Sequence, residues 1–536
     1  MKKFLVMAMM AALAMTGTAF AAHNAWVPTD QATFSFGAPA TTNNSDSCDI
    51  GTSAAATLLL PYFEVDVNNS NRATAQTTLF TIVNVSSFPQ IAHVVVWTDW
   101  SYPVLDFNIF LTGYDVQGIN LYDVFVSGVV APPSGTTSDE VANPSGTFSE
   151  LNDSNPNFLP VIGCGTLPGA LPGSLVADVR SALTTGTYSL CGTSKIGNVH
   201  ANAIGYVTVD VANNCSTSLP NQPAYFTNEL LFDNVLTGDY QQINPNSATG
   251  NYAGGSPLVH IRAIPEGGPA GTVVATNLPY TFYDRYTPGP GPSRTVDRRQ
   301  PLPGVWAARY IQGGANNFNT NLKIWREGIT TGADACSAYI NNATLLVTNI
   351  VRFDEHENPT TGGSGIVCSP CGPSVTTLPE TSATPTTSGV FPNISTAAGD
   401  IAGWMYLNLS NNSQGGTAGT TNRASLSAQR PGFGQGALGT TYINAGGLFA
   451  AGVSGTRATS QNWVITSMFA EGRYSVDFDA TWLANGCTPQ AFYTGPTTAT
   501  PSLVGDELYC PAGAACVPTN PAAPVGFTYT PPQVNP

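Results

Sequence analysis

The chain has 536 residues, a formal net charge of −15 and only 10% charged residues. The acidic balance excludes nucleic acid as a partner, because phosphate binding needs a basic face. With 54 Gly and 41 Pro the chain is loop-rich, but 42% hydrophobic residues are enough for a core and exclude wholesale disorder.

In chain order, Lys2 and Lys3 precede an uncharged apolar run from Phe4 to Met15, and Thr18-Ala19-Phe20-Ala21 ends in a small-x-small pattern. This predicts a signal peptide over residues 1–21, removed near Ala21, and a secreted protein of the periplasm, outer surface or extracellular space. The run is too short to cross a bilayer, and no other stretch is long and apolar enough, so no membrane span is expected. Residues 22–47 are polar and rich in Pro, Thr and Asn, and read as a linker.

A chain of this length divides into domains. The first module is read over residues 48–255. Leu58 to Phe63 is a short buried strand. Thr77 to Val126 holds at least four strands: Leu105, Phe107, Ile109 and Leu111 alternate with Asp106, Asn108 and Phe110. Trp97 and Trp100 are expected on opposite faces of one strand. A long insertion from Pro132 to Gly186 contains one predicted helix, about Leu175 to Leu183, with Val176, Val179 and Leu183 inward and Ser174 as its cap. Ile204 to Val211 returns as a strand.

The second module is read over residues 256–490. Strands are expected at Val259–Ile264, Trp306–Ile311, Leu322–Arg326, Leu345–Phe353, Gly403–Leu409, Trp463–Phe469 and Tyr474–Trp482. In the last, Tyr474, Val476, Phe478, Ala480 and Trp482 are expected inward and Ser475, Asp477, Asp479 and Thr481 outward. Pro359–Ile394 and Ser410–Gly439 read as loops, and residues 491–536 as a Pro/Ala/Thr-rich tail. The fold class is therefore all-β: two antiparallel β-sandwich modules with long Gly/Pro/Thr-rich loops.

Ten cysteines behind an export signal, Cys48, Cys164, Cys191, Cys215, Cys336, Cys368, Cys371, Cys487, Cys510 and Cys516, read as a disulfide set. Local pairing suggests Cys164–Cys191, Cys48–Cys215, Cys336 with Cys368 or Cys371, and Cys487 with Cys510 or Cys516. Cys368-Ser-Pro-Cys371 has no second pair at zinc-knuckle distance.

Nucleophile motifs are missing: there is no Gly-x-Ser-x-Gly elbow and no His-Glu-x-x-His signature. His93 and His260 lie within strand patterns and read as structural. The pairs Glu64/Asp66 and Asp477/Asp479 sit two apart, so each shares one strand face. Such pairs suit a hard cation or acid–base work on a sugar. Glu64, Asp66 and Asn68 form the candidate Ca²⁺ site, since they run into an oxygen-rich turn; Asp477/Asp479 reads as a solvated face. Trp100, Tyr102 and Tyr114 would make a sugar platform if coplanar and exposed. Arg262, Arg299, Arg309, Lys323, Arg326 and Arg352 interleave with acids and read as an ion-pair network within the second module.

Two resemblances follow from these residues. The strand and turn order over 77–126 resembles an immunoglobulin-like or fibronectin-type sandwich. The phrases LLLPYFEVD, VVVWTDWSYPVLDFNIFLTGYDV, DNVLTGDYQQINP, VDRRQPLPGVWAARYI, VRFDEHENP and QNWVITSMFAEGRYSVDFDATWLANGC resemble a group of secreted bacterial proteins to which no activity is assigned. That implies a secreted fate and no particular chemistry. The expected function is a non-catalytic secreted or cell-surface structural or adhesive protein, with a surface polymer or other copies of itself as partner. The alternative is a secreted carbohydrate-active protein using the acidic pairs and exposed aromatics.

Overall fold

The computed structural model describes residues 53–129, 171–213, 218–263, 281–285, 297–326, 336, 345–361, 376–391, 401–409 and 461–484, apart from short gaps within these ranges. The leader, the 22–47 linker, the 491–536 tail and the Ser410–Gly439 loop lie outside the described residues. Most described residues are β-strands in several antiparallel sheets, with few helices.

The first strands are β1 (Thr57–Val65), β2 (Thr77–Asn84), β3 (Gln90–Thr98), β4 (Pro103–Leu111) and β5 (Val116–Asn120). Helix α1 (Gly173–Thr185) follows, then β6 (Ala203–Ala212), β7 (Leu236–Thr237), β8 (Asp239–Asn244), β9 (Tyr252–Pro257) and β10 (Val259–Ile261). One sheet runs β10-β1-β6-β3-β4 and a second runs β5-β2-β8-β9, with β7 also on β2. β3 is buried along its whole length, which explains the apolar run Val94-Val95-Val96-Trp97: a strand covered on both faces has no polar side to alternate with. Pro61 has no amide to donate, and the β1–β6 register shifts there, between Leu60 and Phe63. Gly205 lets β6 approach closely: a Cβ at that position would sit 2.1 Å from the Trp97 carbonyl and 2.8 Å from the Phe63 ring.

Helix α1 buries Val176, Val179, Ala182 and Leu183 on one face and packs over β6 and β4. It starts at Pro172 with no side-chain cap, so Ser174 does not fill the role expected of it. It stops at Gly186, which takes the left-handed conformation that a side chain disfavours (φ 65°).

The remaining strands are β11 (Val305–Ile311), β12 (Phe318–Arg326), β13 (Leu345–Val347), β14 (Asn349–Asp354), β15 (Pro359–Thr361), β16 (Thr376–Leu378), β17 (Thr381–Pro385), β18 (Ala402–Asn408), β19 (Asn462–Ala470), β20 (Tyr474–Asp479) and β21 (Thr481–Ala484). They form sheets β15-β14-β18-β11-β21 and β17-β12-β19-β20, plus the pair β13-β16. Three of these strands, β15, β16 and β17, fall in the Pro359–Ile394 stretch expected to be loop. Tyr474–Trp482 is not one strand either: it breaks at Ala480, and β21 crosses to pair with β11.

One buried apolar cluster takes in residues from Ala55 to Ala480. Its backbone is aromatic. Trp97 stacks on Tyr206 at 5.7 Å, Tyr206 meets Trp325 of β12 edge-on at 5.9 Å, and Trp325 meets Phe282 at 5.5 Å. The 255/256 position lies inside β9, and β10 beyond it closes the edge of the first sheet. No helix among the described residues is long and apolar enough to cross a membrane.

Candidate functional site

Asp210 lies near the C-terminal end of β6 with no exposure, flanked across the sheet by Thr57 of β1 and His93 of β3. Its Oδ1 accepts the Thr57 hydroxyl. Its Oδ2 accepts Tyr225 OH at 2.6 Å and Tyr283 OH at 2.7 Å. Arg299 brings Nε to 3.4 Å from Oδ1 and donates Nη1 to Asp297, which also accepts the Thr281 hydroxyl at 2.5 Å. The guanidinium lies 4.8 Å from the Tyr283 ring centroid. Burial opposes the arginine charge, but Asp297 and Asp210 outweigh it and hold its pKa up. Burial and Asp210 push both tyrosines well above their usual value. Both tyrosines therefore stay protonated, and Arg299 stays charged, through the ordinary pH range. The cluster is a clamp, because it joins β6 of the first sheet to chain beyond residue 296. This corrects the expectation of an ion-pair network within the second half alone.

A second charged group lies where β9 and β20, edge strands of different sheets, run side by side. Lys323 of β12 donates to Asp477 Oδ2 at 2.5 Å and sits 5.8 Å from the Tyr240 ring. Asp479 is outward and Ala480 inward as expected, whereas Asp477 is 8% exposed and Val476 49% exposed, the reverse of the periodic reading for that pair. The reason is a partner the pattern could not contain: Lys323 comes from a strand more than a hundred residues earlier. Asp479 accepts Trp463 Nε1 at 3.2 Å and Ser256 Oγ at 3.4 Å. Its own surface is solvent-exposed at the rim of the seam. Loss of solvation nevertheless raises its carboxyl to about 6, with the Trp463 and Ser256 bonds opposing and Asp477 adding to the rise.

No protein family, curated protein or solved structure matches this chain. Its chemistry therefore rests on its own residues. Asp99 is the third candidate: its carboxylate receives Asn198 N at 3.0 Å, Asn198 Nδ2 at 2.6 Å and His200 Nε2 at 2.8 Å. An Asp–His pair is half of an acyl-transfer apparatus. The nearby Ser101 is turned elsewhere. It is buried, held at φ 61°, bonded to Glu380 of the second half, and accepts Tyr206 OH at 2.5 Å.

The expected Ca²⁺ residues do come together. Glu64 and Asp66 share a half-buried face, with Val65 and Val67 buried opposite. Three of their four carboxylate oxygens hold protein donors: Glu64 takes Asn202 Nδ2 at 2.7 Å and Tyr62 OH at 3.0 Å, and Asp66 Oδ1 takes the amides of Asn68 and Asn69, both at 3.1 Å. Asn68 donates to the Ala201 carbonyl at 3.1 Å. Among the described residues no group of three or more His, Cys, Asp or Glu is arranged to hold a metal.

The three aromatic residues do not form one platform. Trp100 sits in the β3–β4 turn, not on the strand with Trp97, and is buried; Tyr102 packs on Tyr188 at 5.9 Å. Tyr114 is 61% exposed, at a turn where its φ is 60°. It leads into β5, a sheet edge whose outward groups are partly capped: Val116 N donates to Asp115 and Gly118 O accepts Gln117 Nε2. Such capping blunts an edge against strand addition. His93 and His260 are buried and bonded to Asn108 and to the Ser53 carbonyl, as structural histidines are.

Cys191 pairs with Cys336, 145 residues away, rather than with Cys164, and Cys336 is thereby withdrawn from Cys368 and Cys371. The other eight cysteines lie outside the described residues. Sequence reasoning passed over Asp210, although one signal was available: it is the only charge in AIGYVTVDVA, and a lone acid inside an apolar strand implies a buried partner.

Proposed function

We propose that the chain is a non-catalytic secreted or cell-surface protein, structural or adhesive, built as two sandwich-like pairs of sheets. The carrying observation is where its ionisable side chains go. Asp210 with Arg299, Lys323 with Asp477, and Glu380 with Ser101 all tie one part of the β-structure to another. Chemistry-bearing groups used as internal cross-links give rigidity instead of turnover. Packing of β1 against β2 and β8, and of β11 against β12 and β19, supports the layered reading. The predicted leader supports export.

The test is to express the full chain with its leader, fractionate the cells, and expose intact cells to protease. Recovery from the surface or medium, with no turnover on polysaccharides, peptides or esters, is the expected result. Retention in the cytoplasm overturns the location, and turnover overturns the non-catalytic part.

One observation favours the carbohydrate-active alternative. Asp479 is raised to about 6 beside Asp477, and a raised carboxyl next to a second carboxyl is the pattern of a proton donor to a sugar. Polysaccharide hydrolysis lost in Asp479→Asn, with the fold intact, would establish it.

A further inference from the structure

Strands β9 and β20 are neighbours without a backbone ladder between them. Side chains make the join. Ser475 Oγ accepts the Ala253 amide at 3.0 Å and donates to the Ala253 carbonyl, so one hydroxyl satisfies both outward backbone groups of that residue. Three residues further along β9, Ser256 Oγ reaches Asp479 at 3.4 Å. A seam held by two serines and a carboxylate is weaker than a strand ladder, which repeats two backbone bonds every second residue. It is the natural place for the β-structure to part.

We propose that the β9–β20 seam is a clasp that acid tightens and neutral pH loosens, with Asp479 as the group that sets it. When ionised, Asp479 places a second carboxylate two residues from the buried Asp477, at the solvent-exposed rim of the seam. When protonated, it removes that charge and gains a proton to share with Ser256. The charged and titratable groups around it are few. Asp477 is on its own strand and is bonded to Lys323 of β12; Glu64 of β1 adds a weaker pull on Lys323; Tyr240 of β8 faces the Lys323 ammonium; β19 contributes the neutral Trp463 indole. No cation pairs directly with Asp479 among the described residues.

The sign follows from linkage. The carboxyl is raised from 3.8 to about 6 when the seam is closed, so the closed form binds the extra proton. The seam is tightest below about pH 4, weakens as pH rises to about 6, and changes no further above that.

Hydrogen exchange on the full-length oxidised protein tests this, with protection corrected for the intrinsic exchange rate at each pH. Peptides covering residues 252–257 and 474–479 should lose protection several-fold between about pH 4 and pH 6 and level off beyond, while β3 peptides stay constant. Asp479→Asn should hold high protection across the range. Ser475→Ala should lower protection at every pH but keep the slope. A flat wild-type profile, a slope shared equally by β3, or a wild-type slope surviving in Asp479→Asn each overturns the proposal. The wild-type profile decides the matter by itself if the Asn variant does not fold.

Discussion

Charge is buried in two regions, and they are built differently. Around Asp210 every partner is inside: two tyrosines, a threonine, and an arginine that itself holds a second aspartate. At the β9–β20 seam one ion pair, Lys323–Asp477, is enclosed, while Asp479 beside it keeps contact with solvent. The first arrangement holds both tyrosines well above their usual range. The second leaves a carboxyl raised to about 6. Burying charge does not decide whether a site responds to its surroundings; the number of internal partners and the access of water do.

The largest effect should come from breaking the closed cluster. Arg299→Met leaves Asp210 and Asp297 buried with no cation, and removal of one partner from a buried pair costs about 3–5 kcal/mol. Denaturant unfolding measures it. A loss under about 1 kcal/mol would show that water reaches the cluster after all.

Lys323→Met should cost less, about 1–3 kcal/mol, because one buried carboxylate loses its cation instead of two. Adding Asp477→Leu to it should recover most of that loss, since an apolar pair replaces a buried ion pair well. If the double variant is no better than the single one, the pair holds the seam by direction as well as charge.

The smallest effect is expected from calcium. Glu64 and Asp66 already hold protein donors, so millimolar Ca²⁺ and EDTA should give melting temperatures within about 1 °C of each other. A rise of several degrees would show that the turn rearranges into a calcium site built on Glu64, Asp66 and Asn68.

Local pattern carried the sequence reading as far as local pattern decides structure. The strands β1 to β4, β6, β11, β18 and β19 stand where β-branched and aromatic runs put them, and α1 stands on its helical spacing. Long-range partners decided the rest. Val476 faces out and Asp477 in because Lys323 waits on β12, two strands away in the same sheet and more than a hundred residues earlier in the chain. Trp100 is buried in a turn because Ser101 bends the chain through φ 61°, a conformation no periodicity announces. Threonine- and proline-rich residues 376–385 form strands because β12 and β13 offer edges to pair with. The Asp210 cluster draws on residues between 57 and 299, so its parts look ordinary when read in order.

The Cys191–Cys336 bond has a consequence for the order of assembly. Cys191 is made 145 residues before its partner. At roughly 5–20 residues per second, synthesis of the intervening chain alone takes about 7–30 seconds, and export adds to the wait. Throughout that wait the helical end of the first half is free to be captured by an earlier cysteine. Correct pairing is therefore a late event that certifies the arrival of the second half. A chain truncated before residue 336 would leave Cys191 without its partner, and would be distinguishable from the finished protein by that thiol.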